Sequence, residues 1–170
     1  INSSFVDEKT QVINPNSYGL SKLICENLIK DNYNKINYSI IRLPGVIGKN
    51  SVRNWLTNLL NDIKKNKDVS IYNPKHKFNN LIHISDLSKF ISSLVSLKYQ
   101  KNDTICIATY DKINLLTLVK KLIKINNSSS KINIMKSKTK SFYIKNYKIK
   151  NKYNFKPMST IRSLEIFSYE

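Results

Sequence analysis

Asn14-Pro15-Asn16-Ser17-Tyr18-Gly19-Leu20-Ser21-Lys22-Leu23 opens the first strongly periodic segment of the chain. Pro15 restricts the backbone and Asn16 or Ser17 can cap free amides, so a helix is predicted from Tyr18 to about Tyr33. Its apolar positions Leu20, Leu23, Ile24, Leu28 and Ile29 recur at steps of three and four, the period of an amphipathic helix. Tyr18 and Lys22 stand at i and i+4, on one face. An ammonium beside a phenol favours the phenolate. A tyrosine so placed can pass a proton to or from a carbinol or carbonyl oxygen, and a hydroxyl from Ser4 or Ser3 could hold the same oxygen. With ten tyrosines and 26 lysines among 170 residues, chance supplies roughly one or two such pairs, so the pair alone carries no weight.

Outward from this helix, strands and helices alternate. Tyr38-Ser39-Ile40-Ile41-Arg42-Leu43 is short and apolar, a buried strand stopped by Pro44-Gly45. Trp55, Leu56, Leu59, Leu60 and Ile63 mark a second helix, ending between Lys64 and Lys67. Val69–Tyr72 and Asn80–Ile84 read as strands. Ser85 then caps a helix through Leu87, Phe90, Ile91, Leu94 and Val95, with Asp86 suited to its positive end. Thr104–Ala108 is a strand, Leu115–Ile125 a helix and Ile132–Met135 a short strand. A basic, Tyr-rich helical stretch lies around residues 142–152, and a terminal helix starts at Thr160. The alternation predicts an α/β fold. Gly19, Gly45 and Gly48 are the only glycines, which excludes a Gly-rich dinucleotide loop and a phosphate-binding P-loop within this chain.

Composition is lopsided. Lysine plus arginine total 29 against 11 acids, a formal charge of +18. Between Asp111 and Glu165 there is no acid, while the same stretch holds 13 lysines and Arg162. Lys145-Asn146-Tyr147-Lys148-Ile149-Lys150-Asn151-Lys152-Tyr153 interleaves bases with rings, as single-strand binders do. That pattern motivates an alternative reading, a lysine-rich module for nucleic acid or another polyanion. Against it, 26 of the 29 bases are lysine. Sequence-specific readers lean on arginine, whose planar fork matches guanine and phosphate. Lysine, asparagine and isoleucine make up 43% of the chain, the bias of AT-rich coding sequence, and compositional drift is the preferred explanation. A hydrophobic fraction of 41% is too high for a disordered basic tail. No apolar run reaches membrane-spanning length. Cys25 and Cys106 are far apart and lack metal or disulfide spacing. With only His76 and His83 as histidines, no metal site is expected. A reduced, cytoplasmic piece is expected.

Four blocks, in order, resemble one family. Ser3-Ser4, then Tyr18-Gly19-Leu20-Ser21-Lys22-Leu23 with Glu26 beyond, resembles the catalytic region of short-chain dehydrogenases/reductases, and more narrowly the NAD-dependent epimerase/dehydratase family acting on nucleotide sugars. Ser39 to Gly48 resembles the family's next core strand and the loop leaving it. Phe78-Asn79-Asn80-Leu81-Ile82-His83-Ile84-Ser85-Asp86-Leu87 resembles its "F-I-H-V-D-D" segment, and Tyr153-Asn154-Phe155-Lys156-Pro157 its "LGF-P" ending. By that resemblance Tyr18 is the general acid/base, Lys22 binds the nicotinamide ribose and favours the phenolate, and Ser4 (or Ser3) holds the substrate oxygen. Tyr18, Lys22, Leu43, Pro44 and Gly45 would contact NAD or NADP, a glycine allowing close backbone approach. The family's Arg-Asp pair is Asn79-Asn80 here. These, with Lys77, are the candidate substrate-binding residues.

The resemblance further implies the C-terminal part of a Rossmann-type parallel sheet plus a small α/β substrate-binding domain. Residues 1–48 would be the Rossmann remnant and 49–170 mainly the substrate region, with about 78–97 returning to the sheet. The chain is then expected to be the C-terminal part of a longer protein, inactive alone, with a homodimer possible through the Tyr18 helix. The remaining conspicuous side chains have structural readings: His83 and Trp55 as core, His76 as solvated, and Cys25 as a small buried residue.

Overall fold

The computed structural model describes residues 4–32, 37–52, 54–96, 102–136 and 141–170, so Ser3 lies outside the described residues. In chain order the elements are β1 (Phe5–Val6), α1 (Ser17–Asp31), β2 (Ser39–Arg42), β3 (Gly45–Ile47), α2 (Trp55–Lys64), β4 (Val69–Tyr72), β5 (Lys77–Phe78) and β6 (Leu81–His83). They continue with α3 (Ile84–Ser96), β7 (Asp103–Cys106), β8 (Ile113–Asn114), α4 (Leu115–Ile125), β9 (Ile132–Met135), β10 (Tyr143–Ile144), α5 (Tyr147–Asn151) and α6 (Thr160–Tyr169). The fold is mixed α/β, as expected. Four strand pairs are parallel, β1–β10, β2–β7, β3–β6 and β4–β9, and β5–β8 is antiparallel.

Parallel pairing needs crossovers, and helices supply them. Gly45 pairs with Leu81 and Ile47 with His83, so β6 returns beside β3 after α2 and the β4 strand. Just beyond β7, Thr109 N donates to Leu81 O at 2.9 Å, linking the β2–β7 and β3–β6 pairs. Leu81, Ile82 and His83 are all buried, as in a parallel strand covered on both faces.

Two main cores result. One gathers Leu56, Leu60 and Ile63 of α2, Leu118 and Leu122 of α4, and Leu164 of α6. The other packs Phe90 of α3 against Ile105 and Ile107, with Phe155 covering its ring at 5.1 Å.

With few glycines, left-handed turns fall to asparagine. Asn14, Asn50, Asn66, Asn73, Asn127 and Asn154 are the non-glycine residues with positive φ among those described. Asparagine tolerates that region because its short side chain bonds locally. Asn66 and Asn127 hold it one residue past the C-caps of α2 and α4, where glycine is usual. Gly48 is irreplaceable in another sense. Its φ is +157° and a Cβ there would stand 2.5 Å from Ile84 Cγ2.

Three local expectations are corrected. Ser85 does not cap α3, which starts at Ile84; its hydroxyl instead meets His83 Nδ1 at 2.8 Å. The 142–152 stretch is not one helix. Tyr143 N donates to Ser4 O and Lys145 N to Val6 O, so the β1 edge captures its first residues as β10. Cys25 is exposed, because α1 buries none of its residues. Among the described residues no helix is long and apolar enough to cross a membrane.

Candidate active site

The Asn16 side chain accepts from Gly19 N at 2.9 Å and caps α1, which places Tyr18 and Lys22 in its first two turns. Lys22 Nζ stands 5.2 Å from the Tyr18 ring centroid. The Tyr18 side chain is open, at 72% exposure. One ion pair fixes this helix to the sheet. Arg42, the last residue of β2, donates from Nε and Nη2 to the Glu26 carboxylate at 2.9 and 2.8 Å. Arg42 Nη1 also reaches Glu8 O and Thr10 O at 3.3 and 3.4 Å. The hydrogen bond from Arg42 holds the Glu26 carboxyl below its usual range, against the opposing effect of burial. Leu43-Pro44-Gly45 follows Arg42 directly. One guanidinium thus sets the distance between the Tyr18 helix and that loop.

Three cavities lie in series along this junction. The first, about 620 Å³, runs beside α1 and is lined by Gly19 and Lys22 with Val6 and Arg42. The second, about 400 Å³, shares Val6 and Arg42 and adds Leu43, Pro44, Gly45 and Asn80. The third, about 410 Å³, shares Asn80 and Phe142 with the second and continues to Trp55, Tyr72, His76 and Phe78. A Cβ on Gly45 would meet Asn80 O at 3.6 Å, so a side chain there would stand in the second cavity's wall. Cys106 also lines that cavity; burial, with Glu8 adding to it, pushes its thiol up to about 12, and it is no nucleophile.

The structure brings Lys22, Leu43, Pro44, Gly45 and Asn80 to this groove; Tyr18, one turn before Lys22 on α1, lines none of its three cavities. Ser4 is exposed immediately before β1, its carbonyl accepting from Tyr143 N at 3.2 Å. Lys77 is exposed on β5, opposite Asn114. Asn79 is turned inward. It is 1% exposed, its amide nitrogen donates to Thr109 O and Ile144 O, and its oxygen accepts from Ile144 N. That amide clamps β10 and leaves no group for a ligand.

Two further sequence readings change. Trp55 is the first residue of α2, 44% exposed and edge-on to Phe78, so it walls the third cavity instead of filling the core. His76 also lines that cavity, and its Nε2 is buried without a partner where solvation was expected. His83 is core, 3% exposed and held by Ser85 and by Glu170 at 3.4 Å. Arg42 and Phe142 were missed as groove residues. A lone arginine ending an apolar strand was the available signal for the first; Phe142 carried none.

Solved structures share this fold. UDP-glucuronic acid 4-epimerase from Bacillus cereus, in complex with NAD, superposes with a TM-score of 0.82 at 20% identity, over 99% of this chain and 56% of that one. dTDP-glucose 4,6-dehydratase from Bacillus anthracis, also with NAD, gives 0.77 at 14%, over 99% and 56%. RMD from Pseudomonas aeruginosa, complexed with NADPH, gives 0.76 at 14%, over 95% and 57%. The chain therefore spans less than three fifths of each. No curated protein sequence matches it. The model of the NAD dependent epimerase/dehydratase family matches residues 3–108, more than half of the chain, and the protein belongs to that family.

Proposed function

We propose that this chain supplies the catalytic helix and the substrate groove of an NAD(P)-dependent nucleotide-sugar epimerase, dehydratase or ketoreductase. The observation that carries this reading is the run of cavities from Lys22, past Leu43-Pro44-Gly45, to the aromatic chamber at Trp55 and His76. Three cavities in series suit a two-part ligand, a reacting sugar at the α1 end and a nucleotide at the other.

The groove fits the nicotinamide end of NAD(P) and no more. Gly45 leaves the close backbone approach a flat ring needs, and Lys22 offers an ammonium to ribose hydroxyls. The pyrophosphate needs a Gly-rich turn at a helix N-terminus, which a chain with glycines only at 19, 45 and 48 lacks. We therefore assign residues 1–48 to a Rossmann-type domain completed by a dinucleotide-binding half outside this chain, and 49–170 mainly to substrate binding. Pairing of β6 with β3 supports a return to the sheet near 78–97. The chain alone is then inactive. The outer apolar residues of α1, Leu20, Ile24 and Leu28, are the candidate contact of a homodimer.

When bound, the nicotinamide supplies the hydride acceptor and donor. Tyr18 Oη takes the proton from a sugar hydroxyl as its carbon is oxidised, and returns it on reduction. Lys22, one turn away with its Nζ 5.2 Å from the Tyr18 ring centroid, sets a positive charge beside that ring. Ser4 holds the sugar oxygen. Arg42 and Glu26 act through position, fixing α1 against the loop. Asn80, at the junction of the second and third cavities, is retained as a substrate contact; Lys77 stays a candidate only for a ligand's outer end.

The Lys145–Tyr153 segment, which suggested a polyanion module, is largely committed to the fold, as is Lys156 just beyond it. Lys148 and Lys152 bond Asp103 at 2.8 and 2.6 Å, and Lys145 and Lys156 lie over Phe5 and Tyr110.

The test assembles this chain with its dinucleotide-binding half, supplies NAD or NADP, and follows UDP-, dTDP- and GDP-sugars by chromatography. Cofactor-dependent conversion of at least one is expected. Absence of any conversion, together with salt-sensitive micromolar binding to generic DNA or RNA, would overturn the reading.

A further inference from the structure

Side chains alternate across a strand, and the β1–β10 pair uses its two faces differently. Phe142 and Ile144 wall the second cavity from the β10 side, and Val6 walls it from β1. Phe5, Tyr143 and Lys145 fall on the opposite face. There Phe5 stands across from Tyr143 in the register, their ring centroids 6.2 Å apart. A lysine covers each ring. Lys145 Nζ lies 3.2 Å from the Phe5 centroid, and Lys112 Nζ 4.1 Å from that of Tyr143. Two rings and two ammonium groups thus back a strand pair whose front walls the groove.

Ser4 is the residue this arrangement controls. It immediately precedes β1, and its carbonyl accepts from Tyr143 N at 3.2 Å, which carries the ladder one residue beyond the strand. Alternation sets Ser4 on the side of Val6, toward the groove. Among the described residues β1 pairs only with β10. A strand of two residues has few bonds of its own, so its position depends on what fastens that pair.

The fastening comes in two parts. Lys145 N donates to Val6 O at 2.8 Å, and Asn79 in turn holds β10 through both Ile144 N and Ile144 O. The Lys145 side chain supplies the second part. Its ammonium is drawn to the negative face of the Phe5 ring, more strongly because Lys145 is half-buried. One residue therefore grips β1 twice, by backbone at Val6 and by charge at Phe5, on either side of the bond that follows Ser4.

We propose that Lys145 is a positioning residue for the reaction: by holding the Phe5 ring it fixes the strand that presents Ser4 to the sugar oxygen. This rests on the role given to Ser4 in the nucleotide-sugar reading above.

The test measures kcat and KM with UDP-, dTDP- and GDP-sugars, in the chain assembled with its dinucleotide-binding half. Wild type is compared with Lys145→Ala, Lys145→Arg, Ser4→Ala and the S4A/K145A double variant. K145A lowers kcat about tenfold or more, since a displacement of about 1 Å suffices for such a loss, while KM stays within about twofold. Arginine offers a cation to the same ring, so K145R stays within about threefold of wild type. S4A lowers kcat about 10²-fold, and in that background K145A adds no more than about twofold. A lysine that only stabilised the fold would cost the same with or without Ser4. Wild-type kcat in K145A overturns the proposal, as does a change confined to KM. So does a K145R enzyme as slow as K145A, or an undiminished K145A loss in the S4A background. S4A at wild-type rate, or no conversion of any of the sugars, overturns the reading of the site itself, and the role of Lys145 with it.

Discussion

α1 and α4 are both helices with apolar residues at three- and four-residue steps, yet they end in opposite situations. α4 buries Leu118, Val119 and Leu122 against α2 and α6. α1, four residues longer, buries none; Leu28 is 58% exposed. Periodicity specifies a face, and neighbours decide whether that face is covered. The helix bearing Tyr18 and Lys22 is thus the one with least packing, held chiefly by Arg42 and Glu26. The lobe that shapes the third cavity is packed around α2, α4 and α6. On the proposed function, substrate recognition would belong to the packed region and the chemistry to the least packed helix.

The comparison can be broken by mutation. Leu118→Ala in the α4 core is expected to cost about 2–5 kcal/mol in denaturant unfolding. Glu26→Gln removes the charge facing Arg42 and should cost about 1–3 kcal/mol, with α1 amides exchanging faster while those of α4 do not change. Because Arg42 holds the Glu26 carboxyl below its ordinary 4.5, this contribution is present above that pH and is lost as pH falls through the lowered value.

Asp103→Asn should lower Tm by a few degrees at neutral pH. Burial alone would raise the Asp103 carboxyl, but Lys148, Lys152 and Tyr153 overcome it and hold it at about 2, from 3.8. Its stabilisation is therefore complete above 3.8 and fades toward pH 2, where wild type and D103N should converge. Burial and Asp103 together raise the Tyr153 phenol, so that partner remains a donor throughout. Leu28→Ala should change stability by no more than about 0.5 kcal/mol. A loss comparable to that of Leu118→Ala would mean that α1 is packed and would remove the contrast.

Much of the architecture was legible because strong periodicity survives tertiary context. Leu115–Ile125, Ile132–Met135 and the start at Thr160 match the residues read from sequence. The two-residue pair of β5 and β8 was not legible, since two backbone pairings leave no pattern. Nor was the capture of Tyr143 and Ile144 by β1, a contact across more than 130 positions. In the site, the break after an apolar strand marked Pro44-Gly45, while only the family resemblance singled out Leu43-Pro44-Gly45 as cofactor contacts. His76 did not: flanked by Lys75 and Lys77 it reads as surface, and only the closing of the 73–76 turn onto α4 turns it inward. Asn79 was misplaced for a related reason. Sequence shows an amide, and only the fold shows that its three hydrogen bonds all go to backbone.

The central claim is that Tyr18 moves the proton at one end of a groove whose other end binds the nucleotide. Tyr18→Phe, in the chain assembled with its dinucleotide-binding half, separates the two ends. Turnover is expected to fall by about 10²–10⁴-fold, with nucleoside diphosphate affinity unchanged. Turnover at near wild-type rate, or a loss explained by weaker nucleotide binding, would contradict it.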